Sequence, residues 1–446
     1  MNLSNAMKRR WAALRRDEDG GMTAFGLTVF TVGAMVGAFA LDVSYLNATR
    51  TQLQIAADQA AHAALYNRGR RAADGTFVTA DAARKTAQDV ITTLLPETLY
   101  GDALPATSIE FGTFDRASGT FSVDNTSSAA VRVSTSLTAN KQNAAKTYLF
   151  RMIGIDAFDV GAQSIYMTYR PGCLREGFVA DGVVDMQSNS SFTKGFCIHS
   201  NTHVSFNQNN FFEAGTIVSM PNLDDLDLPK SGFEKNEGLF EALRRQKTNI
   251  RIIDRIDGII AGLQTSDPVV MPDYITNTSV RYMNEKNLDM SELTVGRVHY
   301  VDCTGPRLNI DGATATIHSV VIISPCEIKF ANNSALEDAI VASTRTTADS
   351  INAPQNLRLG RDDNCADGGG AQLLTEGGMI FAAGLQMFGG QIMAKKDVEF
   401  AANADGLQGA SILAGGRIDG TSNADMGFCG SGMEDNFEID YYRMAR

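Results

Sequence analysis

Six cysteines are the most reactive side chains in the sequence, and their distribution suits cross-links better than catalysis. Cys173, Cys197, Cys303, Cys326, Cys365 and Cys429 all fall in the later part of the chain, and no two form a Cys-x-x-Cys pair. That spacing argues against a zinc ribbon or a thioredoxin-type redox motif. An even number confined to one region suits disulfides in an oxidising compartment, with buried thiols as the plainer reading. Proximity in sequence pairs Cys173 with Cys197, Cys303 with Cys326, and Cys365 with Cys429.

Other candidates for chemistry are sparse. His199 and His203 stand four apart beside Cys197, which invites a metal site. The chain has no His-Glu-x-x-His motif, so surface or ladder histidines are the better reading. The acidic run 362–368 offers Asp363 and Asp367 as calcium ligands beside a Gly turn. It lacks the Glu that closes an EF-hand loop, and solvated acidic loops are common. No Gly-x-Ser-x-Gly elbow and no phosphate-cradling glycine motif appears. Asp181, Asp185, Asp302, Asp311, Glu327, Asp397 and Glu399 are carboxylates that a polysaccharide-cleaving site could use if three converged on one groove. No catalytic residue, metal or cofactor is assigned on these grounds.

Composition narrows the classes further. The chain has 446 residues, 44% of them hydrophobic, which is a folded protein of more than one unit. A net charge of -12 opposes nucleic-acid binding, which needs clustered Lys and Arg.

The elements that would carry these residues begin with residues 22–41, MTAFGLTVFTVGAMVGAFAL, which hold no charge. At about 1.5 Å per residue they span about 30 Å, the thickness of a bilayer core. Gly33 and Gly37 form a small-xxx-small face able to pack a second helix. Lys8, Arg9, Arg10, Arg15 and Arg16 precede the span beside Asp17, Glu18 and Asp19. The positive-inside rule weighs the basic residues and predicts a cytoplasmic N-terminus. A cleaved signal is the rival, because Ala38-Phe39-Ala40 resembles a cleavage site. Against cleavage, a helical stripe of Leu46, Leu53, Ala57, Ala60, Ala61 and Ala64 continues past it without a breaker.

The run RRDEDGG before the span and LDVSYLNATRTQLQIAADQAAHAALY after it resemble the N-terminal segment of TadG-like proteins. These belong to the TadE/TadG group of the Tad (Flp) pilus assembly system. The likeness continues through AVRVSTSLTANKQNAAKTYLFRMIGIDAFDVGAQSIYM, residues 130–167. Asp58 in AADQAA is the most family-like single position. The resemblance implies an inner-membrane, single-pass protein that works with other pilus-assembly or envelope proteins. Two departures qualify it. Where processed pilin-like relatives carry a Glu shortly after the cleavage Gly, Gly21 is followed by Gly26, which makes processing unexpected. The Asp-x-Ser-x-Ser metal site of some relatives is absent as well.

The chain therefore divides into a basic tail (1–21), a transmembrane helix (22–41), an α+β domain (42–170) and a mainly β domain (171–446). In the α+β domain the pattern predicts a helix over 80–95 stopped by Pro96, a hairpin over 108–124, a strand from AVRVSTSL, a helix over 144–152 and a strand over 160–169. Beyond Cys173 short apolar strands alternate with Asn, Ser and Gly. With three strands to a turn of about 20 to 25 residues, this is the texture of a right-handed parallel β-helix. An antiparallel sandwich is the competing fold. Residues 233–264 read as a helical insertion that covers or caps the solenoid.

The expected function is that of a non-enzymatic envelope protein supporting Tad/Flp-type pilus assembly, adhesion or surface attachment. The expected partners are the membrane, envelope proteins and a surface glycan. The extracytoplasmic part would stand in the periplasm or at the surface. A β-helix polysaccharide lyase or hydrolase is the alternative, by fold analogy alone.

Overall fold

The computed structural model describes residues 19–70, 77–420 and 423–445. The basic residues Lys8, Arg9, Arg10, Arg15 and Arg16, with Asp17 and Glu18, lie outside this range. The described chain forms two units. One runs to Tyr169 and takes in residues from Tyr442, and the other is Arg170–Tyr441.

The first unit is built on helix α1 (Asp19–Arg68). Its two halves have opposite environments. Met22, Phe25, Leu27 and Phe30 are each more than 60% exposed, whereas Leu53, Ala56, Ala57, Ala60, Ala61, Ala64 and Leu65 are fully buried. Large apolar side chains with no protein around them are what a membrane anchor or a signal sequence presents. The alanines let the second half lie close against its neighbours. Helix α2 (Ala80–Leu94) starts where the Thr79 hydroxyl accepts the Ala82 N–H at 3.3 Å, and it buries Ala83, Ala87 and Ile91 in the same core.

Beside the helices lies an antiparallel meander of β1 (Ile109–Asp115), β2 (Thr120–Val123), β3 (Ala130–Leu137) and β6 (Val160–Tyr169). The spatial order is β2-β1-β3-β6, with the last strand, Tyr441–Met444, added at the β6 edge. The expected helix over 144–152 does not form. Instead β4 (Ala145–Lys146) pairs with β5 (Ala157–Phe158), and a single 3-10 turn covers Phe150–Ile153. The cause is Asp42, whose carboxylate accepts the backbone N–H groups of Tyr148, Leu149 and Phe150 at 2.9, 2.8 and 2.6 Å.

The second unit is a parallel β-solenoid of about 12 turns, so the sandwich alternative is set aside. Its interior is a column of stacked side chains. Along one face Ile322, Val341, Leu373, Ile392, Ile412, Phe178, Ile198, Val218 and Leu243 follow one another rung by rung. The order of that ladder is not the order of the chain. Residues 177–245 form the rungs at one end and residues 277–427 those at the other, so that Ser411–Ala414 stacks upon Gly177–Ala180 and Ile418–Gly420 upon Val184–Met186.

Residues 246–276 cross back between the two ends along the outside of the sheet. This accounts for Ile250, Ile253, Ile256, Ile260 and Leu263 packing on Val298, Val321, Ile323, Leu374 and Leu413. The sheet is thereby buried on both faces, and its strands read as unbroken apolar runs such as SVVIIS. The covering segment is helical over α3 (Ile256–Thr265) and the 3-10 turn Ile253–Arg255 that leads into it, with one further α-helical turn at Leu239–Ala242 before it. The rest of the expected 233–264 helix is broken. Gly238 takes a left-handed φ of +80°, and Leu243–Arg245 pairs as a strand with Val218–Met220.

Asparagines make the tight corners. Asn189, Asn209, Asn333, Asn356, Asn364 and Asn423 all have φ between +53° and +67°, a region Asn enters more easily than other residues with a Cβ. Two of these corners stack, the Asn356 amide donating to the Asn333 side-chain oxygen at 2.8 Å.

Candidate functional site

A row of carboxylates on the outer face of the solenoid, on the strands Val184–Met186, Val398–Gln408 and Ile418–Gly420, is the main polar feature that the fold assembles. In Val184-Asp185-Met186, Val398-Glu399-Phe400 and Ile418-Asp419-Gly420 the flanking residues turn inward and the acid turns out. The parallel register places Glu399 beside Asp419, and Asp419 beside Asp185. Ser205 occupies the next rung, and its hydroxyl donates to Asp227 at 3.1 Å. Arg417 ties the row together, 2.5 Å from an Asp185 oxygen and 2.9 Å from an Asp419 oxygen.

Partial burial pushes the Asp185 carboxyl up. Arg417 opposes this, Asp419 and Asp227 add to it, and His203 opposes it weakly. Such a row can accept hydrogen bonds or cations about every 4.7–4.9 Å along the solenoid. Asp419 and Asp227 were not among the sequence candidates. An apolar–acid–apolar triplet, repeated where strands recur, is the signal that marks Asp185 and Glu399.

The remaining carboxylates are spent locally. Asp181 accepts from Asn201 at 2.6 Å, and Asp302 and Asp311 accept nearby backbone N–H groups. Glu327 meets Arg307 and Asn352, and Asp397 accepts the Arg417 N–H at 2.7 Å. No three of these share a cleft with the row in either of the two cavities described, one on residues 139–157 and one near Arg361.

The metal candidates are similarly engaged. His199 is buried, with Nδ1 2.7 Å from the Ser219 hydroxyl and Nε2 3.1 Å from the Asn201 oxygen, so neither ring nitrogen faces an open site. Burial lowers its pKa, against the pull of Asn201 and Asp181. His203 lies outside this pair, in the turn before the strand Val204–Phe206. Asp363 is taken by Arg361 at 2.7 Å and by the Ala366 N–H, while Asp367 is exposed. Among the described residues the one grouping of three potential ligands is Asp302, Cys303 and Cys326. Its two sulfurs are bonded to each other.

The cysteines pair as Cys173–Cys197, Cys303–Cys326 and Cys365–Cys429, with Cα separations of 4.9, 6.4 and 5.8 Å. Each ties neighbouring parts of the solenoid unit. Glu176, unremarked in the sequence, is fully buried beside the last bridge and accepts the N–H groups of Cys429 and Gly430 at 2.6 and 2.5 Å. Burial raises its pKa in spite of those bonds and of Arg175.

In the first unit Asp58 is half-buried on α1 and accepts from Gln54 at 2.9 Å. One turn further on, His62 is ringed by Tyr66, Tyr166 and Tyr442. Asp42 is the other buried acid here. Burial raises its pKa, but the N–H groups of Phe150, Tyr148 and Leu149 together outweigh that, so the net shift is downward and the group stays ionised.

Among the described residues one helix, from Gly21 onward, is long and apolar enough to cross a membrane, as an anchor or a signal sequence would be. Residues 20–84 match the family described as putative Flp pilus-assembly TadE/G-like, a match over this segment that suggests a pilus-associated envelope protein. Residues 177–430 match a domain of unknown function, DUF7867. No curated protein and no solved structure matches the chain. Because the second match covers more than half of its length, the chain belongs to the DUF7867 family, whose domain here follows a TadE/G-like segment.

Proposed function

We propose that this chain is a non-enzymatic, single-pass envelope protein that supports assembly of a Tad/Flp-type pilus and attachment to surfaces. Its basic tail lies in the cytoplasm and its solenoid outside. The observation that carries this reading is α1, whose exposed apolar half continues without a break into the packed half matched by the TadE/G-like family. Three disulfides suit an oxidising extracytoplasmic compartment. A solenoid offers long, regular outer faces for recognition. The acidic row, with acceptors one rung apart, suits the hydroxyls of an extended surface glycan.

Deleting the gene and counting surface pili and attached cells tests the role. Loss of both is expected, and unchanged numbers of each would refute it. Alkylating thiols before lysis tests the orientation, since a membrane-bound product with no alkylated cysteine is expected.

The alternative, a polysaccharide lyase or hydrolase, draws on the same row. The full-length protein in detergent should release no reducing ends from acidic polysaccharides. Release that disappears in Asp185→Asn and Asp419→Asn would replace the scaffold reading with an enzyme.

A further inference from the structure

The loop between β4 and β5 is held against α1 at the point where the apolar span ends. Asp42, the first residue after that span, is fully buried and grips three consecutive backbone N–H groups of the loop. Two aromatic pairs flank this grip. Phe39 stacks on Phe150 with ring centroids 4.9 Å apart, and Tyr45 meets Tyr148 edge-on at 5.2 Å. Residues 39 to 45 occupy less than two helical turns, about 9 Å of axis. Wherever the span ends in the bilayer, the loop is within that distance of the same level.

The loop's side chains are unlike those of an ordinary surface turn. Tyr148 is 65% exposed, Met152 80%, Ile153 60% and Ile155 38%. Ordering such residues at the surface with no protein cover is unfavourable in water. Lys146 and Arg151 stand among them and line a cleft of about 410 Å³ with Thr147 and Asp156. Neither cation has an ion-pair partner among the described residues. Aromatic and aliphatic tips with basic residues beside them are the composition of an interfacial membrane contact.

We propose that the 147–156 loop is a second membrane contact, inserting Tyr148, Met152 and Ile153 into the outer interface of the bilayer that α1 crosses, with Lys146 and Arg151 at the phosphate level. The contact is continuous with the lipid-facing surface of α1, which is why lipid and not a second protein is its occupant. Its consequence is mechanical. A helix alone would leave the α+β unit free to swivel on one stem, whereas two contacts fix the unit's tilt and rotation relative to the membrane. The proposal rests on residues 22–41 spanning the bilayer, and the test separates the two.

Single cysteines replacing Met152, Val36 or Phe240 in the full-length protein, each carrying an environment-sensitive fluorophore, are reconstituted in phosphatidylcholine–phosphatidylglycerol vesicles with and without brominated acyl chains. The proposal expects blue-shifted emission and loss of most of the fluorescence to bromolipid at positions 152 and 36, and neither at 240. Quenching at 36 with water-like emission at 152 overturns the loop contact and leaves the anchor standing. Blue-shifted emission at 152 without bromolipid quenching overturns it in favour of a protein neighbour such as a second copy. Water-like emission at both positions removes the span reading and the loop contact with it.

Discussion

Replacing Phe178 with Ala tests the rung where the solenoid passes from one chain segment to another. Phe178 is fully buried and stacks between Ile412 and Ile198. Its ring lies 5.0 Å from that of Phe196 and 5.4 Å from that of Phe400. Truncating a buried Phe costs about 3–5 kcal/mol, from lost transfer energy and the cavity left behind. In a solenoid each turn contacts only its neighbours, so the cost falls on the junction and the turns beside it. Residues 177–245 supply few rungs of their own, and they are expected to open before residues 277–414 do.

Hydrogen exchange resolved by peptide is the assay. At about 1.4 kcal/mol for each factor of ten, exchange in Cys197–Ser200 and Ile217–Met220 should quicken by roughly a hundredfold to a few thousandfold. Exchange in Ile317–Ser324 should change little. Ile322→Ala, at a similar cost of about 2–5 kcal/mol within a continuous segment, should give the converse pattern. Equal acceleration of both regions by Phe178→Ala would mean that the solenoid opens as one cooperative body, and the junction argument would fail.

Three further outcomes follow from single groups. His299 is buried with Nε2 accepting the Thr294 N–H at 3.0 Å, and burial, then Arg281 and Arg297, hold its pKa down from 6.5 to about 4. The unfolded chain therefore takes up a proton first, so this contribution is full above pH 6.5 and is lost as pH falls towards 4, by up to about 3 kcal/mol. If a His299→Gln variant shows the same decline in urea midpoint between pH 7 and pH 4.5, the assignment is wrong. Asn356 has φ +53° and bonds to Asn333, so Asn356→Ala should cost about 1–2 kcal/mol and Asn356→Gly less; equal costs in denaturant melts would remove the left-handed argument. Converting Cys365 and Cys429 together to Ser opens a loop of 64 residues and should cost about 2–5 kcal/mol, and an unchanged melting temperature would contradict a structural role for that bridge.

Much of the architecture is legible from local pattern. The uncharged run 22–41, the alternation in SIEFGTF and TFSVD, and the apolar–Asn–apolar texture after Cys173 each report one physical preference that the fold obeys. One helix expected from periodicity did not form and another formed only in part, for related reasons. Over 144–152 the carboxylate of Asp42, some hundred residues away, takes the N–H groups that a helix would have used. Over 233–264 the helix is kept at Ile256–Thr265, and the apolar residues around Ile250 and Ile252 belong to irregular chain laid across a sheet, where one-sided burial produces a similar spacing.

The order of the stack was beyond local reading altogether. Nothing in GFVA distinguishes a rung that begins a solenoid from one that lies within it, because every interior rung offers the same apolar face to the turn above and the turn below. The acidic row shares this limit, since Asp185 and Asp419 are neighbours only because of that stacking. Local composition by itself determined which residues would be buried, which would turn and which would form an exposed apolar helix, because hydrophobicity and backbone preference act over a few residues. Which strand lies against which, and so which side chains meet, was decided by the tertiary structure, where contacts between distant segments offset the entropy of closing the chain between them.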